Sequence, residues 1–375
     1  MNFKIIHVVK GRADPQTLNG VNRGIHCIAE IQKKLGLDVE VWGITKNIEL
    51  DKHEHNYPLH LFKPRKFFFL KNKNFTTKLN NLSKQTIFHF HSGFIPEFYF
   101  LSKDLKNKNF RWIISPHGAY ILNKKIKGYY IKCIYKLLFE NSIIKNSAAM
   151  HAFSNSDYNS LKSTISEKKI IYIPNGVNSD ENFKTTYNTD DILNISYCGR
   201  LEIKHKGLDL LLKSIKLIAD KKISVFLDII GDGRDYKKLK NLANKLGIEK
   251  KIKFHNKKIG KEKNNILKKS DIFVHTSRWD GIPSAVLEAA NLAIPVMVSK
   301  ATNLEKYILN SNSGYIIDKL NEEIISSLFI KIIKDKKSGE LKHKGVRARK
   351  MTLENFSWQE NVKLINKNIY QKIIN

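Results

Sequence analysis

The chain has 375 residues, of which 42% are hydrophobic and 10% aromatic, and this composition excludes an intrinsically disordered protein. With roughly 100–200 residues in a typical domain, the length predicts about two domains. The surplus of Lys and Arg over Asp and Glu gives a net charge of +31. Such a charge favours a nucleic acid, an anionic membrane or an acidic substrate as the partner.

The positive charge is spread evenly along the chain. Residues 1–178 hold 28 Lys and Arg against 12 Asp and Glu, a net charge of +16, and residues 179–375 carry the other +15. A nucleic-acid-binding protein would concentrate this charge in a recognition module. The even spread therefore argues against nucleic acid, and it fits a compositional bias of the source as well as it fits a functional patch.

Short apolar runs alternate with segments of helical periodicity in both halves of the chain, which is typical of parallel sheets covered by helices. In the first half, strands are predicted at 3–9, 39–43, 86–91, 111–115, 149–153 and 170–173, with helices at 21–35 and 128–145. In the second half, strands are predicted at 194–199, 225–230, 252–255, 271–275 and 295–298, with helices at 207–220, 235–247, 261–268 and 284–293. Beyond residue 320 the pattern is helical only. The sequence therefore predicts an α/β protein with two doubly wound domains.

A turn separates the two halves. It reads Ile173-Pro174-Asn175-Gly176-Val177-Asn178, and Pro, Asn and Gly are the residues that favour turns. We therefore predict one domain at 1–178, a second at 179–355, and a final helical segment at 356–375.

A basic loop follows the first predicted strand of the second half. It reads Gly199-Arg200-Leu201-Glu202-Ile203-Lys204-His205-Lys206-Gly207 and passes directly into a helix. Ligands of open α/β sheets bind at the carboxyl ends of the strands, so Arg200 and Lys206 are candidates for neutralising a diphosphate. Taken alone, the segment also fits a solvated loop of a lysine-rich protein.

Two acidic residues follow a later strand, in the segment Asp280-Gly281-Ile282-Pro283-Ser284-Ala285-Val286-Leu287-Glu288. Gly281 allows the backbone to approach a ligand, and the helix that begins here presents free amide hydrogens to a phosphate. We interpret Asp280 and Glu288 as facing the same crevice. Their spacing alone is also typical of two solvated carboxylates.

A third segment, Gly231-Asp232-Gly233, forms a Gly-x-Gly turn after a strand. The dinucleotide-binding fingerprint needs a third glycine, and this chain has Tyr236 there. The turn therefore argues against a nicotinamide-dependent oxidoreductase.

In this order and spacing, the three segments resemble the nucleotide-binding half of retaining glycosyltransferases of family 4, of the bacterial surface-polysaccharide and lipopolysaccharide type. The first half agrees, because Asn19-Gly20 is similar to the family's glycine loop, and His89-Phe90-His91 and His117-Gly118 are similar to its strand-end histidine motifs. The resemblance implies the GT-B fold. In that fold an N-terminal acceptor-binding domain and a C-terminal nucleotide-sugar-binding domain, both Rossmann-like, face each other across a cleft, and a C-terminal helix crosses back to the first domain.

The resemblance also implies roles for single residues. Arg200 and Lys206 would hold the donor diphosphate, Glu288 would bind the nucleotide ribose, and Asp280 would address the sugar. His91 and His117 would lie on the acceptor side, with His117 near the reacting sugar. The residues expected to be catalytic are thus His117, Arg200, Lys206 and Asp280, and the other residues expected to bind the donor are Asn19, Gly20, Gly231, Gly281, Ile282, Pro283 and Glu288.

The expected activity is that of a retaining hexosyltransferase. The donor would be a sugar on UDP or GDP, the acceptor a glycan or a lipid-linked saccharide, and the pathway surface-polysaccharide biosynthesis. The chain has no D-x-D motif, so we expect neither a metal nor another cofactor. One departure stands out: Asp280 replaces the family's usual Glu, which leaves the donor sugar open. A phosphorylase-like GT-B enzyme is the alternative, but it would need a pyridoxal lysine or a free-phosphate site that the sequence does not identify.

Basic and aromatic residues interleave in two segments, 62–73 and 124–136, as they do in segments that lie on a membrane surface. The residues expected to face the membrane are Lys63, Arg65, Lys66, Lys71, Lys73, Lys124, Lys125 and Lys127. A core helix with a solvated lysine face is the alternative for these segments. The apolar run at 5–9 is too short for a signal peptide, and no apolar stretch approaches the ~18 residues that span a bilayer. We therefore expect a cytoplasmic protein bound peripherally to the inner face of the cytoplasmic membrane.

Overall fold

The structure is a computed structural model, and it describes residues 3–17, 19–49, 54–64, 73–121 and 128–374. The chain folds into two compact units. The first consists of Met1–Asn175 together with Trp358–Asn375, and the second of Gly176–Ser357. The chain therefore leaves the first unit once and returns to it with its last helix.

The first unit contains a seven-stranded parallel sheet in the order β3-β2-β1-β4-β5-β6-β7. Its strands are β1 (Lys4–Lys10), β2 (Asp38–Ile44), β3 (Leu59–Phe62), β4 (Thr86–His91), β5 (Arg111–Ser115), β6 (Ala149–Ala152) and β7 (Ile170–Tyr172). The chain runs outward from β1 to one edge and from β4 to the other. The carboxyl ends of β1 and β4 therefore form the switch point at which doubly wound sheets bind ligands.

Helices cover the first sheet because its strands are apolar on both faces; all six residues of β4, for example, are buried. The helices are Gly20–Lys34, Lys73–Asn80, Pro96–Asn107, Tyr129–Tyr135, Asn141–Lys145 and Asn155–Lys162, with a π-helical turn at Lys136–Glu140 and a 3-10 turn at Glu167–Lys169.

The C-terminal segment packs on the first unit. It consists of the helices Trp358–Ile365 and Gln371–Ile374, joined by a π-helical turn at Asn366–Tyr370. Its buried side chains belong to the same hydrophobic cluster as residues of β1 and β2. A Cβ added at Gly24 would lie 3.6 Å from the Trp358 ring, so this part of the helix Gly20–Lys34 lies close against the tryptophan.

The second unit contains a six-stranded parallel sheet in the order β10-β9-β8-β11-β12-β13. Its strands are β8 (Leu193–Cys198), β9 (Val225–Ile230), β10 (Ile252–Phe254), β11 (Ile272–His275), β12 (Val296–Ser299) and β13 (Gly314–Ile317). Its helices are Ile203–Lys206, Leu208–Asp220, Tyr236–Lys245, Gly260–Leu267, Ser284–Asn291, Glu305–Ser311, Glu322–Lys337 and Glu340–Asn355, with 3-10 turns at Glu249–Lys251 and Lys300–Thr302. The switch point of this sheet lies at the ends of β8 and β11.

The predicted fold class, two doubly wound α/β sheets, is confirmed. The sequence reading misses β3 and β13, which have four residues each, and several short helices. Both are edge strands, and within the described residues each is hydrogen-bonded to one neighbouring strand, β3 to β2 and β13 to β12. The predicted helix at 128–145 is present, but it contains the π-helical turn.

Candidate functional site

The second unit gathers charged side chains at the carboxyl ends of β8 and β11, which are neighbours in the sheet. Lys206 follows β8, and Asp280 follows β11. The Lys206 ammonium lies 2.5 Å from the Asp280 carboxylate, and only 9% and 17% of the two side chains are exposed. The structure therefore joins two of the residues expected to be catalytic in a largely buried ion pair.

Three further donors surround the Asp280 carboxylate. His275 Nε2 lies 3.1 Å and Ser277 Oγ 3.0 Å from the oxygen that Lys206 contacts, and the Gly281 amide donates to the other oxygen. Burial raises the pKa of Asp280, but the Lys206 ammonium and the His275 imidazole outweigh burial and hold the pKa well below its usual range. Asp280 is therefore a fixed negative charge at neutral pH. The sequence reading did not assign His275 and Ser277 to the site, although both lie within five residues of Asp280.

Two glycines let the loops around this cluster approach each other. A Cβ at Gly207 would lie 2.1 Å from the Thr276 carbonyl oxygen, and a Cβ at Gly231 would lie 2.0 Å from the Gly199 carbonyl oxygen. Both glycines also have a positive φ, 64° and 144°. Only glycine fits such positions, so the structure gives Gly231 a close approach between two strand-end loops.

Arg200 has a different partner from Lys206. Its guanidinium lies 3.5 Å from a Glu202 oxygen, and 56% of its side chain is exposed. Because exposed ion pairs are weak, this guanidinium can turn to an anionic ligand at little cost. The loop that carries Arg200 is held by Arg278, which donates two hydrogen bonds to the Asp209 carboxylate at 2.9 and 2.7 Å and a third to the Ile203 carbonyl.

Glu288 lies in the helix Ser284–Asn291 and pairs with Lys263. Both side chains are largely buried, with 13% and 9% of their surface exposed. The two carboxylates of the acidic segment thus bind different lysines. The sequence gives no signal for Lys263, because it lies in a helix that carries no motif. Of the residues between the two acids, Ile282 is buried and Pro283 directly precedes the helix.

The first unit gathers histidines along neighbouring strands. The strand register sets His7 of β1 beside His89 of β4, and His91 of β4 beside Ser115 of β5. Because side chains alternate along a strand, His89 and His91 lie on one face, and their rings stack 4.2 Å apart. His91 Nδ1 lies 3.1 Å from His117 Nε2, so the structure brings together the two histidines expected on the acceptor side.

His117 lies two residues after the end of β5, in a turn, and has an unusual backbone conformation. Its φ is 49°, and the next residue, Gly118, has a φ of 80°. For a non-glycine residue this conformation costs on the order of 1 kcal/mol, and such strain concentrates at functional sites. The His117 ring stacks on Phe153 at 4.3 Å, and the Gly118 amide donates to the Asp157 carboxylate at 2.8 Å. These contacts hold the imidazole at the end of the sheet.

Burial keeps five histidines of the first unit uncharged: His7, His89, His91, His117 and His151. Desolvation lowers the pKa of His7 and His151 to about 4 and that of His117 to about 3. The pKa values of His89 and His91 also lie well below their usual range, first because of burial and then because of the neighbouring imidazoles. These rings therefore act at neutral pH as hydrogen-bonding groups without charge.

Among the described residues, two groups bring three possible metal ligands within 4.8 Å of one another: His7, His89 and His91, and His26, Glu30 and His55. In the first group all six ring nitrogens already have hydrogen-bond partners. A cation would have to displace these bonds, so the first group is better described as a hydrogen-bonded cluster.

Asn19 and Gly20 begin the first helix of the first unit, next to the end of β1. The Asn19 side-chain oxygen caps the helix by accepting from the Val21 amide at 3.0 Å. The preceding loop is held by Asn22, whose side-chain oxygen accepts from the amides of residues 12 and 13 at 3.0 and 2.9 Å. The predicted glycine loop therefore lies at a helix N-terminus, where anions are favoured.

Most residues expected to face a membrane, namely Arg65, Lys66, Lys71, Lys124, Lys125 and Lys127, lie outside the described residues, as does the side chain of Lys73. Lys63 is exposed just after β3. The described helical stretch 129–145 has five large apolar side chains that are 59–74% exposed: Tyr130, Ile131, Ile134, Leu137 and Leu138. Across the described ranges, every helix is too short or too polar to traverse a lipid bilayer.

Known proteins share both sequence and fold with this chain. Residues 18–181 match the family described as glycosyltransferase family 4, and residues 178–350 match glycosyl transferases group 1. An uncharacterised glycosyltransferase of Methanocaldococcus jannaschii is 25% identical over 74% of this chain and 72% of its own length. An Escherichia coli UDP-Gal:alpha-D-GlcNAc-diphosphoundecaprenol alpha-1,3-galactosyltransferase is 29% identical over 45% of this chain and 46% of its own. CapM, a capsular polysaccharide biosynthesis glycosyltransferase of Staphylococcus aureus, is 28% identical over 44% of each chain.

Solved structures agree on the fold. Sucrose-phosphate synthase from Thermosynechococcus elongatus superposes with a TM-score of 0.80 at 15% identity, over 98% of this chain and 99% of its own. Anabaena Alr3699/HepE, solved in complex with UDP and glucose, superposes with a TM-score of 0.77 at 14% identity, over 98% and 99% of the two chains. The chain belongs to the glycosyltransferases, with a family 4 domain followed by a group 1 domain, and it has the GT-B fold.

Proposed function

We propose that the chain is a retaining glycosyltransferase of surface-polysaccharide biosynthesis, which moves a hexose from a nucleoside diphosphate to a glycan or a lipid-linked saccharide. The observation that carries this proposal is the cluster of Lys206 and Asp280 at the switch point of the second sheet, with Arg200 on the same loop as Lys206. A largely buried ammonium and an exposed guanidinium at this edge suit a diphosphate.

The reaction needs positive charge at the leaving group. When the bond between the anomeric carbon and the diphosphate oxygen breaks, its electron pair stays on the diphosphate. Lys206 and Arg200 stabilise that charge. The contribution of Lys206 is strong because its ammonium is largely buried. The acceptor oxygen then bonds to the same face of the anomeric carbon, and its proton passes to the departing diphosphate oxygen. The configuration is retained, and no protein base is needed.

The ion pair with Asp280 prepares Lys206 for this role. Asp280 holds the ammonium at the sheet edge, and His275 and Ser277 hold Asp280. The carboxylate is thereby fixed before a ligand arrives, so binding costs little reorganisation. In the proposed complex Asp280 also accepts hydrogen bonds from the sugar, while Glu288 accepts them from the ribose.

The relatives support the class of donor and acceptor. One is named for transfer from UDP-Gal to a diphosphoundecaprenol-linked sugar and another for capsular polysaccharide biosynthesis, and the Anabaena neighbour holds UDP and glucose. We therefore propose a UDP-hexose as donor and a polyprenyl-diphosphate saccharide as acceptor, with a GDP-hexose as the competing donor.

A donor panel tests the proposed function. The purified chain is heated with UDP, GDP or ADP, and the nucleotide that raises the unfolding temperature most identifies the donor base. The matching nucleotide sugars are then supplied with a lipid-linked acceptor, and release of nucleoside diphosphate is measured. The anomeric configuration of the product is read by NMR. An inverted product contradicts the retaining mechanism, and phosphorolysis without nucleotide release favours a phosphorylase-like enzyme.

A lipid-linked acceptor would place the protein at a membrane surface, and one exposed apolar face of the first unit supports this proposal. Ile131, Ile134 and Leu138, with Tyr130 and Leu137, recur at helical spacing and form one exposed apolar face on 129–138. The sequence directly before this helix contains three lysines, and the chain as a whole carries a net charge of +31. An apolar face beside basic residues fits the headgroup layer of an anionic bilayer, which we propose as its occupant.

Vesicle flotation tests this membrane contact. We expect the chain to float with vesicles that contain anionic lipid at low salt, and the double variant Ile134→Ser/Leu137→Ser to lose most of that binding. Leu309→Ser is the matched control, because Leu309 is 60% exposed but lies in the second unit. Equal flotation of all three proteins would show that the apolar face does not contribute.

A further inference from the structure

Two runs of hydrogen bonds link five buried or partly buried histidines of the first unit. The first run joins the Ile173 carbonyl, His151, Ser115, His89 and Tyr370, and the second joins Asn366, Gln32, His7, His91 and His117. The distances between successive atoms lie between 2.6 and 3.2 Å. All of the side chains are buried except that of His117, which is partly exposed.

The Ile173 carbonyl sets the direction in which hydrogen bonds are donated along the first run. The Ile173 carbonyl can only accept, so His151 Nε2 carries the proton that it donates. A neutral imidazole has one N–H, and His151 Nδ1 therefore accepts from the Ser115 hydroxyl. Ser115 has no second proton, so its oxygen accepts from His89 Nε2.

His89 Nδ1 accepts from the Tyr370 hydroxyl at 2.6 Å, and the first run ends there. The second run begins at Gln32, whose side-chain nitrogen donates to Asn366 Oδ1 at 3.2 Å. With its nitrogen held on that side, Gln32 turns its carbonyl oxygen to His7 Nε2 at 2.7 Å, and this nitrogen must donate.

The last two bonds determine the state of His117. His7 Nδ1 accepts from His91 Nε2 at 2.8 Å, and His91 Nδ1 accepts from His117 Nε2 at 3.1 Å. His117 thus keeps its proton on Nε2 and a lone pair on Nδ1. Within the part of the chain that the structure describes, only its Nε2 has a hydrogen-bond partner.

We propose that the second run is a tautomer lock, in which Gln32 acts as the positioning residue and fixes His117 with Nδ1 as a hydrogen-bond acceptor. This run ends at the side-chain amides of Gln32 and Asn366, which take up no proton at neutral pH, so it holds a tautomer and does not conduct protons to solvent. Nδ1 accordingly recognises a hydroxyl donor. For the proposed transfer, on which this last step rests, His117 accepts a hydrogen bond from a sugar hydroxyl and does not act as a general acid.

The tautomer can be read directly from the unliganded protein. A long-range proton–nitrogen NMR spectrum of histidine-labelled protein distinguishes protonated from unprotonated ring nitrogens, and comparison with His117→Gln assigns the signals of His117. We expect an unprotonated Nδ1 and a protonated Nε2 at pH 7.5. The opposite tautomer, or an equal mixture, would overturn the lock.

Two variants test the direction of hydrogen-bond donation along the second run. Gln32→Met removes the acceptor of His7, so His7 and His91 reverse and the His117 signals move toward the form with a proton on Nδ1. Tyr370→Phe is the matched control, because Asn366 still holds the Gln32 amide; here His89 should change and His117 should not. Unchanged His117 signals in Gln32→Met would contradict the proposal. If that variant does not fold, the native spectrum and Tyr370→Phe decide. Since no donor is present, failure of the proposed function would leave these spectra unaffected.

Discussion

The two units place opposite kinds of polar group at the carboxyl ends of their strands. The second unit buries charges, with Lys206 and Asp280 joined as an ion pair. The first unit buries neutral imidazoles, whose pKa values burial lowers. One layout of parallel strands thus supplies two environments. Fixed charges suit an anionic group, and uncharged acceptors suit hydroxyl groups, so the two units differ in their electrostatics and not in the layout of their strands.

The largest expected effect on activity comes from removing the buried positive charge of Lys206. Lys206→Met should lower kcat/KM by about 10²–10³-fold, because one donor to the developing charge is lost. It should also destabilise the second unit, since Asp280 is left buried without its cation. Steady-state rates of nucleoside diphosphate release and thermal unfolding measure the two effects.

Two matched variants separate charge from stability in that experiment. Lys206→Met/Asp280→Asn removes both charges, and it should recover much of the unfolding temperature but not the activity. Lys204→Ala removes an exposed lysine from the same loop and should stay within threefold of the native rate. Native activity in Lys206→Met would refute the role of this cluster.

Lowering the pH should destabilise the first unit, whose buried histidines are uncharged. Since the pKa values of His7, His117 and His151 are lowered on folding, the unfolded chain binds more protons below pH 6.5. Each of these histidines then costs about 1.4 kcal/mol of stability per pH unit as the pH falls from 6.5 toward its folded pKa. Asp157 and Glu140 act in the opposite sense, because burial raises their pKa values, that of Asp157 to about 6, but the buried histidines outnumber them. The free energy of unfolding of the first unit should therefore fall between pH 6.5 and 5.

Chemical denaturation at pH 7 and pH 5.5 measures this dependence. His151→Gln should flatten it by the contribution of one histidine. The matched control is His343→Gln, which alters an exposed histidine of the second unit and should leave the pH dependence unchanged. A stability that does not change over this range would mean that the cluster is protonated in the folded protein.

The smallest expected effect concerns binding alone. Glu288→Gln should raise KM for the nucleotide sugar about tenfold and leave kcat unchanged, because a contact to the ribose is the same in the ground state and the transition state. Glu262→Gln, which alters an exposed carboxylate paired with Lys258, should change neither constant. A fall in kcat with an unchanged KM for Glu288→Gln would place this residue at the reacting sugar.

The local sequence was sufficient to predict the two sheets and several candidate site residues. Apolar runs and helical periods identified the two sheets, because strands buried on both faces need continuous apolar residues. Positions directly after predicted strands also made Lys206 and Asp280 candidate site residues, since a loop that follows a strand must lie at the edge of the sheet, and the family resemblance added His117.

Only the tertiary structure showed what these residues touch. Lys206 and Asp280 lie 74 residues apart and meet because β8 and β11 are neighbours. Gln32 and Asn366 belong to the hydrogen-bonded run of His117 because the C-terminal segment packs on the first unit. Periodicity and spacing report on residues close in the chain, whereas ion pairs and hydrogen bonds depend on closeness in space. The sequence by itself therefore determined the architecture and placed the candidate site residues at strand ends, and the folded structure decided which of these residues meet and how burial and neighbouring charges act on them.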